Sequence, residues 1–213
     1  MKTLEEIFRS NRCDKIDHGY DAVYSKFFEK IRNYSEINLL EIGIWKGASV
    51  DSWLEYFPNI NIYGIDIFSR IKEEEVPALK NPRMHYIKGD STNPNIREQI
   101  AEKWGENIKF DIVIDDGLHT PDANRLTFNH ISPFLGLNPQ YYVEDIWCIG
   151  KMTEEERKHY WIIKKAKDFT LEKYNEFLGT FGEEYSAEHF DLRKSSRMED
   201  SYIIRVTKNR EKL

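Results

Sequence analysis

The sequence predicts one α/β domain built on a doubly wound, mostly parallel sheet, and three observations support this prediction. The chain has 213 residues, a length that suits a single domain with a full core. Short apolar strand patterns alternate with helical patterns, as parallel βαβ units require. Glycines and acidic residues follow several of the apolar runs, where open α/β sheets bind their ligands.

The elements follow one another in the order of a Rossmann-like fold. Residues 20–32 carry apolar side chains at helical spacing, so we expect an N-terminal helical segment over about residues 1–34. The predicted strands cover residues 37–42, 61–66, 84–87, 110–114, 141–143 and 201–206. The predicted helices between them cover residues 48–56, 96–104 and 124–134.

The region of about residues 148–200 is harder to interpret. Thr153 and Glu156 form a capping-box pattern that opens a charged helical stretch toward residue 178. The region is rich in aromatic residues, which argues against disorder. Two interpretations stay open: a cap that covers the substrate, or packing of an outer layer against the sheet.

Composition excludes several classes of function. The 31 Lys and Arg against 37 Asp and Glu lack the basic character of a nucleic-acid binder. Cys13 and Cys148 fit no metal or redox spacing, so we expect two ordinary thiols in a reducing compartment. No stretch reads as a signal peptide or approaches the roughly 20 apolar residues of a membrane span, so we expect a cytoplasmic protein without a membrane partner.

The turn after the first strand reads EIGIWKG, from Glu41 to Gly47. A dinucleotide site would need glycine two residues after Gly43, but Trp45 stands there. The spacing acid-x-Gly-x-x-x-Gly is typical of methyltransferases that bind S-adenosylmethionine (SAM), and it predicts that Glu41, Gly43 and Gly47 bind this cofactor. The pattern alone fits a simple tight turn equally well.

Acidic and hydroxyl residues at the ends of the next strands extend the predicted cofactor site. Asp66 ends the second strand about twenty residues later, where a carboxylate can accept hydrogen bonds from ribose hydroxyls. Asp90 and Ser91 follow the third strand, near the expected position of the adenine. Asp115, at the end of the fourth strand, completes the predicted cofactor-binding set. A helix cap or turn residue is the alternative for Asp66.

Acidic residues also end two strands that should be neighbours. Asp115 and Asp116 follow the fourth strand, and Glu144 and Asp145 follow the fifth, so their carboxylates should converge across roughly 4.8 Å. Such a cluster must take up protons or bind a cation, and oxygen ligands favour Mg²⁺, Ca²⁺ or Mn²⁺. His119 beside this cluster is a candidate general base, with a structural histidine as the alternative.

Taken together, these motifs resemble the metal-dependent class I O-methyltransferases of bacterial natural-product and sugar tailoring. This family includes macrolide-sugar and rhamnosyl O-methyltransferases and cephalosporin-hydroxylase-like proteins. The resemblance covers about residues 14–147 and DSYIIRV near the end of the chain. The matching segments are DHGY, LLEIGIWKGAS, YGIDIF, IKGDST, FDIVIDDGLHT and YYVEDIW.

The resemblance implies a role for each matching residue. It implies that Asp116, Glu144 and Asp145 are metal ligands, usually for Mg²⁺, and that His119 is the catalytic base. It implies a SAM site made by Glu41, Gly43, Gly47 and Asp66. Two departures concern the substrate subclass: Leu118 stands where the family usually has serine, and Asn138-Pro139-Gln140 replaces a Gly-Gly turn.

The sequence therefore predicts methyl transfer from SAM to a hydroxyl of a sugar or natural-product acceptor. Three alternatives stay open: a metal-independent methyltransferase in which Glu144 and Asp145 bind substrate or are structural, a non-catalytic SAM- or nucleotide-binding module, and an NAD-dependent oxidoreductase. The sequence leaves the acceptor and the oligomeric state open. Aromatic residues of the N-terminal helix or the cap region are candidates for a homo-oligomer interface.

Overall fold

The computed structural model describes residues 1–147, 152–155, 168–196 and 198–209. Seven strands form its sheet: β1 (Ile37–Ile42), β2 (Ile60–Asp66), β3 (Met84–Lys88), β4 (Phe110–Asp115), β5 (Leu135–Val143), β6 (Tyr185–Asp191) and β7 (Tyr202–Lys208). The helices are α1 (Leu4–Asn11), α2 (Tyr20–Phe28), α3 (Ala48–Tyr56), α4 (Ile96–Trp104), α5 (Pro121–Ile131), α6 (Leu171–Gly179) and the short α7 (Arg193–Ser196).

The strands are arranged in the order β3-β2-β1-β4-β5-β7-β6. Neighbours among β1 to β5 pair in parallel, whereas β7 runs antiparallel to both β5 and β6. The order reverses between β1 and β4, so their carboxyl ends form the switch point at which such sheets bind ligands. The predicted Rossmann-like, mostly parallel α/β fold is confirmed.

Both faces of the sheet are covered, which explains why its central strands are almost continuously apolar. On one face, the Trp53 ring of α3 packs edge-on against Phe8 of α1 and Tyr24 of α2. On the other face, Phe128 of α5 packs edge-on against Phe181, which follows α6. The two layers fix the strand ends that carry the candidate site.

Several predicted elements have the observed bounds, and the differences have local causes. Strand β1 and helices α3 and α4 begin and end as predicted. Helix α5 starts before the predicted residue 124, because the Thr120 side chain caps it and Pro121 opens its first turn. It ends at Ile131, and Pro133 lies in the 3₁₀ turn that follows.

The described part of the region of about residues 148–200 packs against the sheet. The Thr170 side chain accepts a hydrogen bond from the Lys173 amide and caps α6, which lies against α5. Strand β6 extends the sheet beyond β7, which is the kind of packing that the outer-layer alternative describes, and the cap alternative stays a prediction. The capping box with Glu156 lies outside the described residues. Among the described helices, none has the length and apolar character needed to cross a bilayer.

Candidate active site and metal centre

Unusual backbone conformations cluster at the carboxyl edge of the sheet. Five described non-glycine residues have positive φ angles, and four of them follow β1, β2, β4 and β5. These four are Trp45 (44°), Phe68 (49°), His119 (58°) and Asp145 (51°). Bulky residues rarely adopt this conformation, and such strain concentrates at functional sites. The backbone alone therefore points to this edge.

Strand register brings two acids together on one face of the sheet. Asp115 pairs with Val143 across β4 and β5, so the next residues, Asp116 and Glu144, lie side by side. Because side chains alternate along a strand, both lie on the face opposite to the Asp115 side chain. Glu41 of β1 lies on the same face as this pair. The predicted convergence of carboxylates is thus a consequence of register.

A lysine that the sequence analysis missed lies among these acids. Lys15, in a 3₁₀ turn over Asp14–Ile16, is only 2% exposed. Its Nζ lies 2.7 Å from Asp116 Oδ2, contacts Glu144 Oε2 directly and lies 3.7 Å from Glu41 Oε1. Lys15 lies two residues before the DHGY motif, and no known motif predicts a functional lysine at that position. The available signal was physical: buried acids require a cation.

The three acids around Lys15 differ in the direction in which their pKa values are shifted. Burial, together with the neighbouring Asp116, raises the pKa of Glu144 well above its ordinary value despite the opposing effect of Lys15. Burial alone would raise the pKa of Asp116, but the neighbouring Lys15 and His119 hold this pKa below the ordinary value. Burial raises the pKa of Glu41 to about 7, against the opposing effect of Lys15. Asp116 is therefore the most firmly ionised member of this face.

The DHGY segment positions the acids after β5. The Tyr20 hydroxyl donates to Asp145 Oδ1 over 2.8 Å and accepts from the Asp145 amide over 3.1 Å. The Tyr24 hydroxyl donates to Glu144 Oε1. His18 Nδ1 lies 3.4 Å from Asp145 Oδ1. The start of α2 thus fixes Asp145 in its left-handed conformation and turns Glu144 inward.

Three side chains form a group with the spacing of a metal site. Ligand atoms of Asp116, His119 and Asp145 all lie within 4.8 Å of one another, and each side chain is partly exposed. His119 Nε2 is 3.7 Å from Asp116 Oδ1, the oxygen that Lys15 leaves free. This donor set, dominated by oxygen, fits a hard divalent cation such as Mg²⁺.

The observed group differs from the predicted ligand set at one position. Asp116 and Asp145 belong to both sets, but Glu144 is 1% exposed and directs its two oxygens toward Lys15 and Tyr24. The third member of the observed group is His119, which the sequence analysis predicted as the catalytic base, and not Glu144. Coordination by Glu144 therefore stays a prediction, in which its oxygens would bind the metal alongside their present partners.

The glycine turn after β1 is ordered by Asp66. The Asp66 carboxylate accepts hydrogen bonds from the amides of Ile44 (2.8 Å) and Trp45 (2.9 Å), and from the amide of Phe68 (2.6 Å). Gly43 has φ of 86°, and a Cβ there would lie 2.1 Å from the Asp116 carbonyl oxygen. The turn is thus packed directly against the residue that begins the acidic cluster.

Gly47 makes a second close approach in the same turn. Its φ is 81°, and a Cβ would lie 2.7 Å from Ala78 Cβ. These contacts explain why the two glycines are needed for the shape of the turn. Direct contacts of Gly43, Gly47 and Asp66 with a cofactor stay predictions.

Two predicted cofactor residues face the protein interior. Glu41 is completely buried and faces Lys15. Asp115 is 1% exposed, and its Oδ2 accepts from Asn124 Nδ2 and the Tyr141 hydroxyl over 3.2 and 3.3 Å. Burial raises the pKa of Asp115 to about 6. Both carboxylates have partners within the protein interior, and a direct contact of either with a cofactor stays a prediction.

Of the two predicted cofactor residues after β3, one is buried and the other is exposed. Ser91 is buried, and its hydroxyl bonds to Thr127 Oγ1 of α5 over 2.8 Å. Asp90 is exposed, and its Oδ1 accepts from the amide and hydroxyl of Thr92. Of this pair, only the Asp90 side chain is open to a ligand. Its contact with adenine stays a prediction.

Comparison with known proteins supports the resemblance found in the motifs. The chain is 32% identical over 137 residues to mycinamicin VI 2''-O-methyltransferase of Micromonospora griseorubida, covering 61% of this chain and 32% of that protein. It is 33% identical to demethylmacrocin O-methyltransferase of Streptomyces fradiae, with the same two shares. The chain thus spans about a third of the length of these curated relatives. No family model matches the chain.

Solved structures agree on the fold. The MycE methyltransferase of the mycinamycin pathway, crystallised with Mg and SAH, superposes with a TM-score of 0.70 at 22% identity, over 99% of this chain and 56% of that one. At this identity the superposition establishes the fold alone. The chain therefore has the Rossmann-like fold of the class I methyltransferases, and over 137 residues it is similar in sequence to the two O-methyltransferases named above.

Proposed function

We propose that this chain is a Mg²⁺-dependent SAM O-methyltransferase that acts on a hydroxyl of a sugar or glycosylated natural product. The observation that carries the proposal is the group of Asp116, His119 and Asp145 at the switch point of a class I methyltransferase sheet. The glycine turn lies against the same Asp116, so a cofactor bound at that turn would lie beside this group.

The acceptor class rests on the relatives. The names of the two curated proteins describe O-methylation of mycinamicin VI and of demethylmacrocin, and further relatives are rhamnosyl tetracenomycin O-methyltransferases from Streptomyces olivaceus. All of these act on oxygen by name. Because this chain covers only part of each, the sugar acceptor is part of the proposal.

Exposed apolar side chains support a ligand face at this edge. Trp45 is 52%, Ile67 55% and Leu118 71% exposed, and they follow β1, β2 and β4. Large apolar groups left in water at a strand edge favour a role in covering a ligand. Leu118 lies next to His119, so we assign it to the acceptor side of the site.

In the proposed reaction, the methyl group leaves the sulfonium of SAM and bonds to the acceptor oxygen, giving S-adenosylhomocysteine. When bound, Mg²⁺ would lower the pKa of the acceptor hydroxyl. Asp116 and Asp145 would hold the Mg²⁺, and His119 acts beside it as the base rather than as a ligand: its Nε2 accepts the hydroxyl proton, and Asp116 Oδ1 at 3.7 Å stabilises the resulting imidazolium. Tyr20 keeps Asp145 in position, so the chain chiefly supplies alignment and electrostatics.

One observation favours a second candidate, a metal-independent methyltransferase. Lys15 already provides positive charge to Asp116 and Glu144, so these two acids have a counter-ion without a metal. In that case Asp145 and His119 would bind the acceptor directly. Activity after removal of divalent cations separates the two candidates.

The test is calorimetry of the full chain with SAM and with MgCl₂, before and after EDTA treatment. We expect SAM binding in the micromolar range and a separate Mg²⁺ isotherm, a range common for enzyme ligands. The Asp116→Asn variant should lose Mg²⁺ binding and turnover. The control is Asp111→Asn, at the opposite end of β4, which should retain both. Mg²⁺ binding that survives Asp116→Asn would refute the metal centre.

A further inference from the structure

Lys15 is a buried ammonium group that lies among acidic side chains and donates hydrogen bonds to two of them. It is 2% exposed, and three carboxylates surround it, from Asp116, Glu144 and Glu41. An ammonium group with so little contact with water is costly unless it is paired. The same holds for Glu41 and Glu144, which are 0% and 1% exposed. Lys15 lowers the pKa of both glutamates against the effect of burial, and it pairs with Asp116, the most firmly ionised of the three acids, so its own charge has a partner within the cluster.

The oxygens of the cluster divide into an inner and an outer set. Both Glu144 oxygens face inward, one toward Lys15 and one toward the Tyr24 hydroxyl. Asp116 spans the two sets, because Oδ2 contacts Lys15 at 2.7 Å while Oδ1 faces His119 at 3.7 Å. Asp145 and His119 belong to the outer set. A cation at the outer set would thus share Asp116 with Lys15.

We infer that Lys15 is a resident counter-cation and positioning residue, which holds Asp116 and Glu144 together when no metal is bound and competes with Mg²⁺ for these carboxylates. This inference rests on the metal centre of the proposed function. It assigns to Lys15 two opposite effects: the lysine stabilises the metal-free fold and weakens Mg²⁺ binding. A lysine that only filled space would have the first effect without the second.

The experiment compares the full chain with three variants. Lys15→Met removes the charge and keeps an unbranched side chain. Lys15→Met/Glu144→Gln also removes the carboxylate that would otherwise be left without a partner. Lys26→Met is the matched control, because Lys26 is exposed and pairs with Glu188 of the edge strand β6 rather than with an acid of the cluster. Thermal unfolding is measured in EDTA, and Mg²⁺ binding is measured by calorimetry with MgCl₂ alone.

For Lys15→Met we expect a metal-free Tm about 10 °C below that of the wild type, since breaking a buried pair leaves an uncompensated charge. We also expect about tenfold tighter Mg²⁺ binding, because a repelling charge is lost and a carboxylate is released. The double variant should regain most of the lost Tm and lose the gain in affinity. Lys26→Met should match the wild type in both measurements.

Unchanged or weaker Mg²⁺ binding by Lys15→Met would overturn the competition. A double variant no more stable than Lys15→Met would overturn the counter-cation role. If Lys15→Met does not fold, the double variant decides: folding supports the inference, and failure to fold overturns it. If neither the wild type nor any variant binds Mg²⁺, the metal centre and the competition both fail, while the Tm comparison in EDTA still decides the counter-cation role.

Discussion

Replacing Gly43 by alanine tests whether the cofactor turn and the acidic cluster are packed against each other. The added Cβ would lie 2.1 Å from the Asp116 carbonyl oxygen, an atom of the backbone that a side-chain rotation cannot move. Backbone hydrogen bonds hold both residues in place: the Gly43 amide donates to the Ile65 carbonyl over 2.9 Å, and the Asp116 amide donates to the Ile42 carbonyl over 3.0 Å. The ends of β1 and β4 would therefore have to separate.

Two costs combine in Gly43→Ala. Placing alanine at φ of 86° costs on the order of 1 kcal/mol, and forcing atoms into a packed contact costs about 2 kcal/mol. The expected loss in the free energy of unfolding is therefore about 3 kcal/mol, which lowers Tm by about 9 °C for a chain of this length. Mg²⁺ affinity should fall as well, since the displaced residue is Asp116.

The chain supplies two glycine controls for this measurement. Gly182 has φ of 53° but nothing within 4 Å of an added Cβ, so Gly182→Ala should cost only about 1 kcal/mol. Gly179 is equally open, ends a helix and has no positive φ, so Gly179→Ala should be nearly neutral. Urea and thermal unfolding of all three variants give the comparison. A loss for Gly43→Ala no greater than that for Gly182→Ala would refute the close approach.

Three further predictions concern the site and its support. His119→Ala should retain SAM binding in calorimetry but lose about 10²-fold or more in kcat. The control His85→Ala, at an exposed position on β3, should keep full activity. A fully active His119→Ala enzyme would disprove the base assignment. Tyr20→Phe removes both hydroxyl contacts with Asp145 and should weaken Mg²⁺ binding about tenfold, which a calorimetric titration checks. Thr120→Ala removes the cap of α5 and should lower the free energy of unfolding by about 1 kcal/mol in urea titrations, with Mg²⁺ affinity retained.

The parts of the fold that were predicted correctly carry their signal locally. Strand β1 is a short apolar run that ends at a glycine, and α3 follows that turn directly. Helix α1 had a comparable signal, a capping box from Thr3 to Glu6, but it was not assigned as a separate helix. Strand β6 lies at the sheet edge with mostly exposed side chains, so it lacks the alternation that identifies strands.

The composition of the site was predictable because it follows from strand ends, whereas the direction of each side chain was not. Convergence of Asp116 and Glu144 requires only that β4 and β5 be parallel neighbours. The inward turn of Glu144 depends on Lys15 and Tyr24, which lie 129 and 120 residues away in sequence. No local pattern encodes such contacts. The same limit applies to Asp115, whose partner Tyr141 lies on the neighbouring strand.

The charge balance of the cluster links its stability to its proposed chemistry. An acidic site neutralised only by a bound metal would leave buried carboxylates unpaired whenever the metal dissociates, and the fold would pay that cost. Here Lys15 pairs with the buried Glu144, while Asp145 and His119 keep partly exposed positions. Stability and ligand binding are thus assigned to different atoms of one cluster, with Asp116 contributing an oxygen to each. This division explains how strained and acidic residues can persist at the carboxyl ends of the central strands of a well-packed sheet.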